Sequence, residues 1–140
     1  MLVKQLMQKE LVTISPLATI HDAASKMKEQ NVGSVLVVDE GWKLKGILTD
    51  RDIALYAAAD SKDPRSVHAY DIMTPDPITI DDDADVDSAL RIMNRANVRR
   101  LPVTENGKLA GILSSADLAA EIKQEFSRFM GLEEVLAKHA

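Results

Sequence analysis

The chain has 140 residues, 46% of them hydrophobic, which suffices for one compact domain or two very small ones. A net charge of -5 argues against a general affinity for nucleic acid, whose phosphate backbone needs a clustered basic face; the only dense basic cluster is Arg95, Arg99 and Arg100. Without cysteine there is no disulfide, thiolate nucleophile or thiolate metal site, and the longest apolar run, Ile53 to Ala59, is far short of the roughly 20 residues of a membrane helix.

The N-terminus lacks a signal-peptide pattern, so a cytoplasmic protein with no membrane partner is expected. Taken in order, the chain states one unit twice. Met7, Thr13, Ile14, Ala23, Met27, Asn31 and Val37 return 66 residues later as Met73, Thr79, Ile80, Ala89, Met93, Asn97 and Val103. One extra residue near Trp42 shifts the offset to 65, and Gly46, Ile47, Leu48 and Asp52 then match Gly111, Ile112, Leu113 and Asp117. A register broken once, at a turn, marks an internal repeat.

Each copy opens on a short predicted strand, Val12 to Ile14 and Ile78 to Ile80. A helix follows, with apolar residues at i, i+3, i+4 and i+7: Ile20, Ala23, Ala24, Met27, and then Val86, Ala89, Leu90, Met93. Thr19 and Asp85 suit the N-caps. Two further strands are predicted in each copy, Ser34 to Asp39 with Leu44 to Leu48, and Arg100 to Glu105 with Leu109 to Leu113, before a second helix that starts at Asp50 or Ser115. The fold class is therefore α/β (α+β), a pair of β-α-β-β-α units.

Units of about 50 residues bury too little surface to stand alone, so the two copies are expected to pack together. The boundaries drawn are 1–59 for the first unit, 60–71 for a linker, 72–119 for the second unit and 120–140 for a helical extension. Pro64, Pro75 and Pro77 mark the connection. In the extension Ile122, Phe126 and Phe129 follow one helical face; Gly131 is expected to interrupt it, with a further short helix carrying Leu132, Val135 and Leu136. Such a patch is expected to be buried, either in a homodimer or against the paired units.

The segments Gly46-Ile47-Leu48-Thr49-Asp50-Arg51-Asp52 and Gly111-Ile112-Leu113-Ser114-Ser115-Ala116-Asp117 are where chemistry is expected. Hydroxyl-x-x-aspartate fits a capping box at a helix start. The same geometry also suits a ligand: a helix N-terminus offers N–H groups and a positive dipole end to a phosphate, the hydroxyl adds a donor, and the aspartate accepts hydrogen bonds from a ribose. Both readings stand on the sequence.

The tandem repeat, these two segments and the run Arg99-Arg100-Leu101-Pro102-Val103 together resemble the cystathionine-β-synthase (CBS) domain pair, or Bateman module, over about Leu6 to Tyr56 and Ile72 to Ala119. The resemblance implies units packed through their sheets, and a binding role without catalysis. It implies an adenosine-containing regulatory ligand (AMP, ADP, ATP, S-adenosylmethionine or NAD), no required cofactor, a homodimer and an effector protein. By that analogy Asp52 and Asp117 hold ribose, and Thr49 and Ser114 phosphate. Apolar and backbone groups around Val12 to Ile14 and Ile78 to Ile80, Thr13, Ile14, Thr79 and Ile80 among them, would line the base, with Val35 and Leu101 as further walls, although core packing explains the apolar ones equally well.

The clefts should differ, because the later copy has Arg99 and Arg100 where the first has Gly33 and Ser34. In CBS relatives basic residues here reach phosphate, and arginine does so with a bidentate fork; ordinary solvent-facing charge is the alternative. Asp81 to Asp87 is rich in acids but lacks the glycine and terminal glutamate of a calcium loop, which leaves solvated helix-start charges as the expectation. His21, His68 and His139 have no metal-ligand spacing, and Trp42 is expected in an exposed turn. A second functional reading remains open: an interaction protein with vestigial clefts, working through dimerisation or its C-terminal tail.

Overall fold

The computed structural model of the chain describes residues 1–138, the side chains of Glu133 and Glu134 excepted; His139 lies outside the described residues. The first copy contains α1 (Val3–Leu6), β1 (Thr13–Ile14), α2 (Ile20–Gln30), β2 (Ser34–Val38), β3 (Leu44–Thr49) and α3 (Asp50–Ala54), whose end loosens into a π-helical turn, Leu55–Ala59. The second contains α4 (Ala69–Ile72), β4 (Thr74–Pro75), β5 (Ile80–Asp81), α5 (Val86–Ala96), β6 (Arg100–Glu105), β7 (Lys108–Ser114) and α6 (Ser115–Lys138). The opening strands are shorter than expected; Ile78 and Thr79 precede β5.

Local chemistry sets the helix ends. Thr19 Oγ1 accepts the Asp22 N–H at 3.1 Å, and Asp22 Oδ2 accepts the Thr19 N–H at 3.1 Å, closing a capping box on α2. The Thr19 N–H, with smaller help from its hydroxyl, holds the Asp22 carboxyl below its ordinary pKa. A depressed carboxylate stabilises the fold at neutral pH, and its contribution disappears as acid protonates it. Asp85 accepts the Asp87 N–H at 3.4 Å at the head of α5. Both helices stop the same way, at Asn31 and Asn97 in the left-handed conformation with φ of 54°.

Two sheets result, β1-β2-β3-β4 and β5-β6-β7. Within each, a parallel pair (Ile14 opposite Val37, Ile80 opposite Val103) adjoins an antiparallel hairpin (Val35 opposite Leu48, Leu101 opposite Leu113). Alternation along a strand sends Val35, Val37 and Leu48 into one core with Ile20, Ala23 and Met27 of α2. Leu101, Val103 and Leu113 enter the other with Ala89 and Met93 of α5. Leu36 and Pro102, the intervening residues, are buried outside both cores, on the sheet faces turned to the other unit.

The sequence repeat and the packing unit are offset by one segment. Val3 of α1 is fully buried in the core of the second copy, where its N–H donates to the Ala84 carbonyl at 2.8 Å. Ala69 of α4 is fully buried in the core of the first, and its N–H donates to the Ala18 carbonyl at 2.7 Å. The chain then adds an edge to the other copy's sheet: Gln8 exchanges both hydrogen bonds with Ile112, and β4 pairs with β3, Thr74 opposite Ile47. The stretch expected to be linker thus ends in a helix and leads into a strand of the first sheet.

That exchange explains the glycine of the repeated segment. A Cβ on Gly46 would stand 2.5 Å from Met73 Sδ and 2.7 Å from the Thr74 carbonyl oxygen. On Gly111 it would stand 2.6 Å from Met7 Sδ and 2.9 Å from the Gln8 carbonyl oxygen. Each crossing segment lies directly on the bare backbone of the other copy's strand.

The extension also differs from expectation. Gly131 does not interrupt it; α6 runs unbroken for 24 residues from the motif to Lys138. Nor is its apolar face buried against the paired units, since Ile122, Phe126, Phe129 and Leu132 are all more than half exposed. No described helix is long and apolar enough to cross a membrane.

Gly111→Ala is expected to lower stability by about 1–3 kcal/mol through overpacking, with Met7→Ala giving incomplete rescue because the Gln8 carbonyl still clashes. Urea denaturation of the single and double variants measures both effects.

Candidate ligand clefts between the paired units

Each motif sits where the last strand of its own copy turns into a helix beside the crossing segment. In the second copy, Ser114 closes β7 and α6 begins at Ser115. Ser114 Oγ accepts the Asp117 N–H at 3.1 Å, and Asp117 Oδ2 accepts the Ser114 N–H at 3.1 Å. The cap leaves groups over: the serine still has its O–H to donate, and the other carboxylate oxygen, Oδ1, meets only Gln8 Nε2 among the described residues, at 3.3 Å. Arg99 and Arg100 flank these residues around a groove of about 500 Å³.

Arg100 and Ile112 also wall an adjoining hollow of about 270 Å³, whose apolar surface comes from Leu11, Val12, Val32 and Leu36 of the first copy. A groove with two guanidinium groups thus adjoins a hollow of mixed lining, in which Glu10, Asn31 and Ser34 accompany the apolar residues. Cations on one side and apolar walls with a few polar groups on the other suit a ligand that carries both an anionic group and a flat ring with hydrogen-bonding edges.

The first copy repeats the framework with different charges. Thr49 Oγ1 accepts the Asp52 N–H at 3.1 Å and Asp52 Oδ2 accepts the Thr49 N–H at 2.9 Å. The hollow equivalent to the apolar one measures about 310 Å³ and is lined by Ile47, Pro77, Ile78, Val98 and Pro102, with Arg100 reaching it from the other side. Here, however, an acid stands at the helix start. Asp50 Oδ1 accepts the Arg51 N–H at 2.8 Å, and its Oδ2 lies 3.3 Å from where a Cβ on Gly33 would be. The N–H that could meet an anion is occupied by the chain's own carboxylate. Ser115 and Ala116, the equivalent residues in the second copy, have no carboxylate to fill that place.

The CBS domain model matches residues 3–59 and 69–124, most of the chain and both copies. The chain belongs to the CBS-domain family. An uncharacterized Bacillus subtilis protein, YlbB, is 44% identical over 118 residues, covering 84% of this chain and 79% of its own. Among solved structures, the CBS domain pair of protein MJ0100, in complex with 5'-methylthioadenosine and S-adenosyl-L-methionine, superposes with a TM-score of 0.76 at 31% identity, over 89% of this chain and 98% of that one. CBSX2 in complex with AMP gives 0.75 at 27% identity, over 88% and 96%.

Within this CBS pair the expected site residues divide. Thr49 with Asp52, and Ser114 with Asp117, Arg99 and Arg100, come together as expected. Of the expected base walls, only Val12 and Ile78 line the hollows. Ile14, Val35, Ile80 and Leu101 are core residues of their own units, and the sheet face toward the cleft is formed by their neighbours Leu36 and Pro102. Thr13 is half-buried and accepts the Lys26 ammonium through its carbonyl, while Thr79 is exposed; within the same stretches it is the first residues, Val12 and Ile78, that meet the hollows. The alternation in Ser34 to Val38 contains the signal for Leu36. Gln8 had no local signal, because only the crossing of the chain brings it to Asp117.

The remaining candidates resolve into structure. Trp42 sits in a turn, half exposed with φ of 63°, and its carbonyl accepts the Leu109 N–H across the units at 2.9 Å. His68 stacks on Tyr70 and contacts the Leu17 carbonyl through Nδ1 at 2.7 Å. Among the acids of the helix start, Asp83 pairs with Lys4 at 2.9 Å on the surface.

Ser114→Ala removes a cap acceptor and is expected to cost about 1 kcal/mol in denaturant unfolding. Asp117→Asn, whose amide oxygen can still accept the Ser114 N–H, is expected to cost less.

Proposed function

We propose that this CBS pair is a regulatory module that binds a phosphate-bearing adenosine ligand in its second cleft and passes the occupancy to an effector protein. The observation that carries the reading is the convergence of Ser114, Asp117, Arg99 and Arg100 on one groove beside a hollow walled partly by apolar residues. Ribose hydroxyls donate to Asp117 Oδ1, the Ser114 hydroxyl and the arginines meet phosphate, and adenine lies between Val12, Val32, Leu36 and Ile112. The phosphate-free ligands of MJ0100 support the adenosine part of this reading, and the AMP of CBSX2 supports the phosphate. The first cleft, with Asp50 on its helix N-terminus, disfavours a phosphate and is the weaker nucleotide site.

The module works by binding and not by turnover, as a dimer of identical chains. Ribose competes with Gln8 for Asp117, so occupancy changes how the crossing segment is held, and a ligand shifts such an equilibrium by its differential affinity for the two states. One observation favours the interaction reading as a companion: the apolar face of α6 is exposed.

Thermal unfolding with AMP, ADP, ATP, S-adenosylmethionine, NAD and adenosine tests the proposal. A ligand at 100 times its Kd stabilises by about 2.7 kcal/mol. The shift is expected with phosphate-bearing ligands, to vanish in Asp117→Ala, to shrink in Arg99→Ala more than in the surface control Arg65→Ala, and to survive Asp52→Ala. No shift with any adenosine ligand would leave the clefts vestigial, and ATP hydrolysis dependent on Asp52 would overturn the non-catalytic role.

A further inference from the structure

One guanidinium stands between the two clefts. Along β6, Leu101 and Val103 enter the core of the second copy, so Arg100 and Pro102 take the opposite face, turned to the first copy. The register sets Arg100 opposite Ser114 and, in the first copy, Ser34 opposite Thr49. Of these two equivalent places only one carries a cation. From it Arg100 lines the groove at Ser114 and Asp117, the hollow beside that groove, and the hollow of the first cleft. Among the described residues no other lysine or arginine lines either hollow, and of the three spaces Arg99 lines the groove alone. The Arg100 side chain is exposed and makes no hydrogen bond or ion pair with a described residue, so no partner in the fold ties it to one cleft.

We infer that Arg100 couples the clefts negatively: a phosphate in the second cleft draws its guanidinium into the groove and takes it from the first. The inference rests on the reading that the second cleft receives a phosphate-bearing adenosine ligand. A guanidinium presents its donors as one planar fork, and a phosphate that takes two of them fixes the plane and direction of the whole group. The first hollow then loses its one lining cation. A second ligand's phosphate there meets Asp50 at the start of α3 with no lining charge to offset the repulsion. The second cleft fills first because it keeps Arg99 as well and has no carboxylate at Ser115. Such coupling is reciprocal, so a ligand held in the first cleft weakens the second by the same factor. The consequence is a module that fills one cleft over a broad range of ligand concentration before it admits a second ligand.

AMP titrations of the 15N-labelled chain, read separately at the two helix starts, test the coupling. With the second cleft emptied by Asp117→Ala, AMP should bind at Asp50 to Asp52 about five-fold or more tightly than it does there in the wild type. Adding Arg100→Ala should cancel that gain, and adding Arg99→Ala should leave it. A first cleft that binds no tighter in Asp117→Ala, or a gain that survives without Arg100, overturns the coupling and leaves the second-cleft reading in place. No AMP-dependent movement at either helix start of the wild type overturns both. A second arm uses the wild-type chain and holds even if Asp117→Ala misfolds. The Arg100 Nε–H resonance should move with Ser115 and Ala116 in the first phase of the titration and stay still in the second, whereas its movement with Asp50 to Asp52 contradicts the inference.

Discussion

The contact on which the rest of this structure depends is a methionine laid on a glycine, made twice: Met73 over Gly46 and Met7 over Gly111. It brings the leading segment of each copy onto the outer strand of the other copy's sheet, so neither core is complete without residues from the other half of the chain. Units of about 50 residues are too small to be stable by surface burial alone, and exchange of a helix and an edge strand joins two such units into one. It also places Gln8 beside Asp117, which makes the crossing segment part of the cleft.

On this frame the hydroxyl-x-x-aspartate motif caps its helix and keeps polar groups to spare. Capping uses one carboxylate oxygen and a hydroxyl lone pair; the second oxygen and the hydroxyl proton remain for a ligand. Duplication copied this arrangement, and a handful of substitutions then separated the clefts. Gly33, Ser34 and Asp50 leave the first with its helix N–H taken by an acid, while the second groove has Arg99 and Arg100, the latter shared with the first hollow, and at Ser115 no carboxylate on its helix start. The difference is electrostatic and lies within one turn of each helix, where charge acts most strongly on the dipole.

Much of this was visible in the sequence, because repetition turns weak local signals into a register. The strand and helix order, the caps at Thr19 and Asp85, and the starts at Asp50 and Ser115 follow from periodicity and capping chemistry. What local pattern does not contain is the crossing: nothing in Val3 or Ala69 says which copy's core will bury it. Val35 and Leu101 lie in the cores instead of lining the hollows for a simpler reason. A period of two puts Val35 and Leu101 in the cores and turns Leu36 and Pro102 outward, and apolar character does not distinguish the faces. Gly131 failed to break α6 because glycine in a helix interior costs only about 1 kcal/mol, less than the surrounding turns supply.

The central claim is that the second cleft, and not the first, receives the phosphate-bearing ligand. Titration of the 15N-labelled protein with AMP, followed by amide chemical shifts, tests it most directly. The account predicts that Ser115, Ala116, Asp117 and Gln8 move first and saturate together, with Asp50, Arg51 and Asp52 following only at higher concentration. Early movement confined to Asp50 through Asp52, or no movement at either helix start, would contradict it.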